Sequence, residues 1–429
     1  MSSATGAERS ERDVRSERSE VILNVNFQGF GQRPAAWQVQ DVQARDLIDE
    51  RFYQRVAQIA ERGKLDAVFF ADHPAFGNPN PRPLGLAEPF VVAAAIAAAT
   101  ERLGVIVSGS TTYNDPIELA DRVLGLDLVA GGRIGWNVVT TYNPVVSGNF
   151  GLSENPDRDA RYRRAGEFVD LVTAHWRSAQ TGAAYRHNGE FFEAEGVAQS
   201  PASVQGRPVV FQAGGSPQGR DLASRIADGV FAVELTEASA RKHYEAVKAG
   251  AVAHGRKRSD VAIVPGLSLV LGSTEAEARA LYDDLESRVP DSYALGALSS
   301  VLGADASGLD LDLPIPAELL RPPTDGVSHT ASLGYRETFL DWIGSRNTSV
   351  RDVLRDFGGY GARIIVGTPE QVADDIEHWF RSGLADGFNL MIDRFPDGLS
   401  AFVDEVVPLL QRKRIFRTDY ATPTLRSRL

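Results

Sequence analysis

The sequence predicts a (β/α)8 barrel, and three observations carry that expectation. Eight short β-rich runs alternate with helical patterns from one end of the chain to the other. The runs are apolar on both faces, as strands of a parallel sheet covered by helices must be. The helical segments between them have start signals that are readable residue by residue. A doubly wound sheet shows the same alternation, so the pattern alone leaves that second arrangement open.

The strand candidates are, in order, VILNVNF (21–27), LDAVFFAD (65–72), LGVIVSGST (103–111), RIGWNVVT (133–140), PVVFQAG (208–214), GVFAVEL (229–235), AIVPGLSLVLG (262–272) and GFNLMID (387–393). Before the fourth, Asp115 stands at an N-cap, Pro116 at the first helical position and Glu118 where a capping box takes its acid. That helix runs apolar through Ile117, Leu124 and Leu128 and stops at Gly131-Gly132. In TPEQVADDIEHWF, Thr368 caps, Pro369 follows and Gln371 closes the box. Val372, Ile376, Trp379 and Phe380 then share one helical face.

A barrel of this type takes about 250 residues, and this chain has 429. Two stretches, 143–205 and 283–362, therefore read as insertions in the βα loops, which lie over the active face. The second opens with GADASGLDLDLPIPAELLRPPTDG and then carries aromatic residues and a lone His329, the composition of a lid. Residues 1–20 alternate charges with Ser and read as a disordered tail, which leaves 21–429 as one barrel domain.

Bulk composition removes several function classes. Net charge is −12 and no long Lys/Arg run occurs, which argues against nucleic acid or an anionic membrane as partner. With no cysteine, disulfides, thiolate nucleophiles and iron–sulfur clusters are excluded. No stretch is long and apolar enough to span a bilayer, and residues 1–20 lack the apolar core of a secretory signal. The expected location is the cytoplasm. The seven histidines show no metal-ligand spacing, and no G-x-S-x-G elbow is present.

The local chemistry concentrates at strand ends. In RPVVFQAGGSPQGRDLASRIADGVF (207–231) a strand runs into Gly214-Gly215, then Ser216 as N-cap and Pro217 as first helical residue. Glycines admit close backbone approach, and a helix N-terminus favours an anion, phosphate above all. Arg220, one turn in, adds a cation. The spacing from Gly214 to Gly219 imitates a P-loop, but Arg220-Asp221 occupy the Lys-Ser/Thr positions, and no dinucleotide fingerprint follows a strand. The same glycines also suit a plain strand-to-helix turn. Asp72 and His73, Ser110 and Thr111, and Asn137 and Thr140 gather at other strand ends, which a barrel brings to one face.

Several motifs together resemble the bacterial luciferase-like flavin-dependent monooxygenases, in the subgroup of the nitrilotriacetate, dibenzothiophene sulfone and long-chain alkane monooxygenases. They are DPIELADRVLGLDLVAGGRIGWNVVTTYNPVVSGNFG (115–151), RYRRAGEFVDLVTAHW (161–176), PVVFQAGGSPQGRDLA (208–223), VGTPEQVADDIEHWFRSGLADGFNLM (366–391) and the closing FVDEVVPLLQRKRIFRTDYATPTLRSRL. The resemblance spans residues 21–429 and implies the (β/α)8 barrel. It also implies reduced FMN as cofactor, dioxygen as co-substrate, a small organic substrate, a separate NAD(P)H:flavin reductase, and a homodimer or homotetramer.

By resemblance, Asp72 and Ser110 lie near the isoalloxazine with Asn137 beside them, and Tyr142 takes a position where some relatives have histidine. Tyr162, Gly215 and Ser216 match the flavin phosphate site by resemblance, and the strand ends themselves add Thr140, Gly214 and Arg220 as cofactor-binding candidates. Asn137, Tyr142 and His329 are the catalytic candidates. The cradle follows the fifth strand rather than the last two, where barrel phosphate sites commonly lie. Two other readings share the barrel: a deazaflavin-dependent oxidoreductase and a non-catalytic flavin-binding protein.

Overall fold

The computed structural model describes residues 18–72, 87–141, 145–154, 156–321, 333–344, 346, 348–357 and 362–429. Eleven strands appear among them. They are β1 (Ile22–Phe27), β2 (Ala67–Phe70), β3 (Gly104–Ser110), β4 (Ile134–Val139), β5 (Tyr185–Asn188), β6 (Glu193–Gly196), β7 (Val209–Ala213), β8 (Gly229–Ala232), β9 (Ala262–Leu271), β10 (Arg363–Gly367) and β11 (Gly387–Ile392). The ring β1-β2-β3-β4-β7-β8-β9-β11 closes on itself through parallel pairs, which makes it a (β/α)8 barrel and removes the doubly wound sheet.

All eight sequence-predicted strands are in that ring. The three others were not expected. β5 and β6 form an antiparallel hairpin inside the first insertion, after the barrel helix Arg158–Thr181. β10 pairs with Leu267–Leu271 of β9, just beyond the Ala262–Pro265 stretch that pairs with β8. It therefore takes over beside β9 where β8 ends.

Alternation sorts the strands into an inner and an outer layer. Ile22, Ala67, Phe69, Ile106, Val209, Phe211, Ala262 and Val264 pack inside the ring, and Leu425 from the chain's end joins them. Leu23, Val25, Val68, Val105 and Val107 face the helices in the larger cluster. Asp115 caps its helix by accepting from the N–H groups of Ile117 and Glu118. Thr368 and Gln371 form the expected reciprocal box. Gly131 and Gly132 take positive φ just past the helix Pro116–Val129, as its stop required.

The second insertion holds the helices Asp291–Leu302, Leu333–Ile343 and Val350–Phe357 around an apolar cluster of its own, with Leu298, Phe339, Trp342 and Val353. At the other end of the sequence, Arg18 donates to the Leu429 and Ser259 carbonyls, and Glu20 pairs with Arg417. The last residues of the segment assigned to the tail thus contact the barrel.

Candidate active site

The polar strand ends of β3 and β4 are tied together side chain to side chain. Asn137 is buried, and its Nδ2 donates to Ser108 Oγ at 2.8 Å, while Ser108 donates to the Phe70 carbonyl at 2.7 Å. Asn137 Oδ1 is buried and accepts from no group among the described residues. A buried acceptor left so costs about 1–3 kcal/mol, which a donor from a ligand or water would recover. Trp136 points the other way, its indole N–H on the Gly109 carbonyl.

Ser110 has a different occupation from Asn137. Its Oγ lies 2.7 Å from Thr141 Oγ1 and accepts from the N–H groups of Thr112 and Tyr113, so it organises the turn after β3. The Thr140 carbonyl accepts from Thr112 Oγ1 at 2.9 Å. Thr141 follows with φ +49°, a conformation that a β-branched residue adopts only when its surroundings impose it. Asp72 is exposed, two residues beyond β2. His73, Tyr142 and His329 lie outside the described residues.

The cradle after β7 has the expected architecture, with a more specific use for its glycines. Ser216 caps the helix Pro217–Ile226 by accepting from the Gly219 N–H at 3.1 Å. A Cβ on Gly214 would lie 2.7 Å from Gly219 Cα, and one on Gly219 would lie 2.8 Å from Gly214 Cα. Those two glycines let strand end and helix start cross in backbone contact. Gly215 touches a third, since a Cβ on Gly334 would lie 2.5 Å from the Gly215 carbonyl carbon. The second insertion is thereby seated on the cradle.

Tyr162 brings its hydroxyl to 3.2 Å from Ser216 Oγ. Arg220 donates to the Gly215 carbonyl and so braces the loop from behind. The cation that sequence reasoning missed is Arg161. Its Nη1 donates to the Thr141 carbonyl at 2.7 Å, its Nε is buried without a partner, and no carboxylate among the described residues pairs with it. Burial holds its guanidinium below the ordinary arginine value, a cost that a bound anion would offset. The signal lay in RYRR, where three arginines flank Tyr162, but nothing in the string says which one turns inward.

These residues fit a phosphorylated flavin. Ser216 and Tyr162 have two hydroxyl protons, and at most one bridges the pair, which leaves one for an anion. Among the described residues no group of His, Cys, Asp and Glu is placed to hold a metal ion. No helix there is long and apolar enough to cross a membrane.

Comparison with known proteins finds relatives along nearly the whole chain. Residues 34–386 match the model of the family described as luciferase-like monooxygenase. Nitrilotriacetate monooxygenase component A of Aminobacter aminovorans is 35% identical, over 96% of this chain and 96% of that protein. Among solved structures, EDTA monooxygenase from Chelativorans sp. BNC1 superposes with a TM-score of 0.78 at 33% identity, covering 95% of this chain and 98% of that one. Riboflavin lyase, solved with modified FMN and substrate riboflavin, superposes with a TM-score of 0.80 at 29% identity, covering 96% and 95%.

Proposed function

Because the chain belongs to the luciferase-like monooxygenase family, we propose that it is the oxygenase of a two-component system, acting on a small organic molecule with reduced FMN and dioxygen. A separate NAD(P)H:flavin reductase supplies the reduced FMN, as the component A relative suggests. The observation that carries the site assignment is the cradle, with Ser216, Tyr162 and the helix start converging beside three closely packed glycines.

Reduced FMN, when bound, supplies the electrons that activate dioxygen. The chain's own residues bind and orient. Ser216, Tyr162 and the start of the helix Pro217–Ile226 would hold the phosphate, with Arg161 as its cation. Asn137 Oδ1 would accept a hydrogen bond from a ring N–H of the reduced flavin. Asp72, Ser110 and Thr140 surround the same strand ends, Ser110 through the turn it organises. Tyr142 and His329 complete the reading as groups that face flavin or substrate. The relatives are named for different small molecules, so no substrate transfers by name.

The reading includes self-association as a homodimer or homotetramer, as the family resemblance implies. A cytoplasmic location suits the absence of cysteine.

The test is oxygen uptake. The pure protein should oxidise no NADH, and adding a flavin reductase with FMN should create substrate-dependent oxygen consumption. Robust NADH oxidation by the pure protein with trace flavin would overturn the two-component assignment.

A further inference from the structure

A cavity of about 260 Å³ runs along β10, at the seam where β8 ends. Its lining includes the aliphatic side chains of Leu235, Ile364 and Val366. Ile364 and Val366 are the register partners of Ser268 and Val270, so they share the sheet face of those residues. The walls are cationic and aromatic. Arg279 and Tyr282 come from the helix Glu275–Ser287, Trp342 and Arg346 from the second insertion, and Arg363 from the start of β10. Asp356 is the one acid in the lining.

These arginines are not equally committed. Arg363 is held by Asp375 in a two-point bond, both distances 2.7 Å. Arg346 reaches Asp356 only at 3.5 Å, and its guanidinium lies 4.4 Å from the centre of the Trp342 ring. Arg279 pairs with no carboxylate among the described residues and lies 5.6 Å from the Tyr282 ring centre. Positive charge is thus left over here, in a chain whose net charge is −12. A guanidinium packed over an aromatic face keeps its N–H edge open to a carboxylate.

One helix has a residue at both the cavity and the cradle. The helix Leu333–Ile343 sets Gly334 on Gly215 and Trp342 in the cavity wall, about 12 Å apart at ~1.5 Å rise per residue.

We propose that this cavity receives the charged end of the substrate, and that the substrate is an organic carboxylate. Arg279 and Arg346 grip its carboxylate groups, and its hydrocarbon rests against Leu235, Ile364 and Val366. The binding claim stands on the cavity alone; that the bound molecule is then oxygenated rests on the oxygenase reading above.

Calorimetric titration of the full-length, FMN-loaded protein with succinate, iminodiacetate and tricarballylate tests it, with their methyl esters and inorganic phosphate as controls. At least one of the acids should bind, with its ester and phosphate at least about 10-fold weaker. Arg279→Gln and Arg346→Gln should each weaken that acid by about 10-fold, the value of one charge-assisted bond, with FMN affinity unchanged. Both arginines are exposed, so neither variant threatens the fold. Esters or phosphate binding as tightly as the acids, variants that bind like the parent, or no binding by any of the three acids would each overturn the proposal. Arginine-dependent acid binding without reductase-dependent oxygen uptake would uphold the cavity and sink the oxygenase reading instead.

Discussion

Two hydroxyl protons meet at Ser216 and Tyr162, and the Ser216 oxygen is already engaged as a helix cap. Ser216→Ala therefore removes two things. The lost cap costs about 1 kcal/mol of stability, and the lost bond to a charged ligand costs roughly 1.5–3 kcal/mol. FMN affinity should fall about 10- to 100-fold while riboflavin, which has no phosphate, binds nearly as before. Fluorescence titration with both ligands reads the difference, and equal losses would reduce Ser216 to a cap. Arg161→Gln and Arg220→Gln should each weaken FMN, because each guanidinium gives the described residues only one bond, to a backbone carbonyl, and pairs with no carboxylate among them. Ser216 was legible in the sequence because a cap after Gly-Gly and before Pro has a physical signature. Arg161 was not, since a helical arginine looks the same whether it faces solvent or turns under a loop.

The insertion helix Leu333–Ile343 meets the cradle through two glycines back to back, Gly215 and Gly334. Any side chain at Gly334 must push the helix or the cradle loop away, an overpacking cost of about 1–3 kcal/mol. Gly334→Ala should thus lower FMN affinity several-fold. Gly296→Ala is the matched control in the same insertion, where a Cβ would meet nothing; it should leave FMN binding alone and raise stability by about 0.5–1 kcal/mol. If both variants bind FMN like the parent, the contact is packing only. No sequence pattern signals such a contact, because it depends on two segments far apart in the chain. β10 escaped for another reason. RIIVG is short, begins with a charge and falls between the seventh and eighth strands of a barrel that closes without it, so nothing local required a further strand beside β9.

At the scale of the whole molecule, the chain's last residues close the end of the barrel opposite the strand ends that bear the site. Leu425 is fully buried among the inner residues of the ring, close against Gly104 and Gly135. The neighbouring Arg426 holds it there, making two bonds of 3.0 and 3.1 Å to Asp228, which Arg207 grips from its own side at 2.9 and 3.0 Å. The eight barrel strands could be read from the sequence because each buries a continuous apolar run. The plug could not, because TLRSRL has neither period nor cap and only the closed barrel gives Leu425 a cavity to fill. Burial alone would raise the Asp228 carboxyl, but the guanidinia of Arg207 and Arg426 outweigh it and hold the group below the ordinary aspartate value. A carboxyl lowered in the folded state stabilises the fold above its unfolded pKa of about 3.9, and that contribution is lost as pH falls through the lower folded value. Asp228→Asn should therefore melt below the parent near neutral pH, where two partly buried cations lose their counter-charge. The gap between the two melting temperatures should narrow as the pH drops below about 4, since the parent then protonates the same group. Melting curves for both chains across that range settle the point: a gap that stays constant into the acid range would mean that Asp228 acts by packing and hydrogen bonds and not through its charge on the plug.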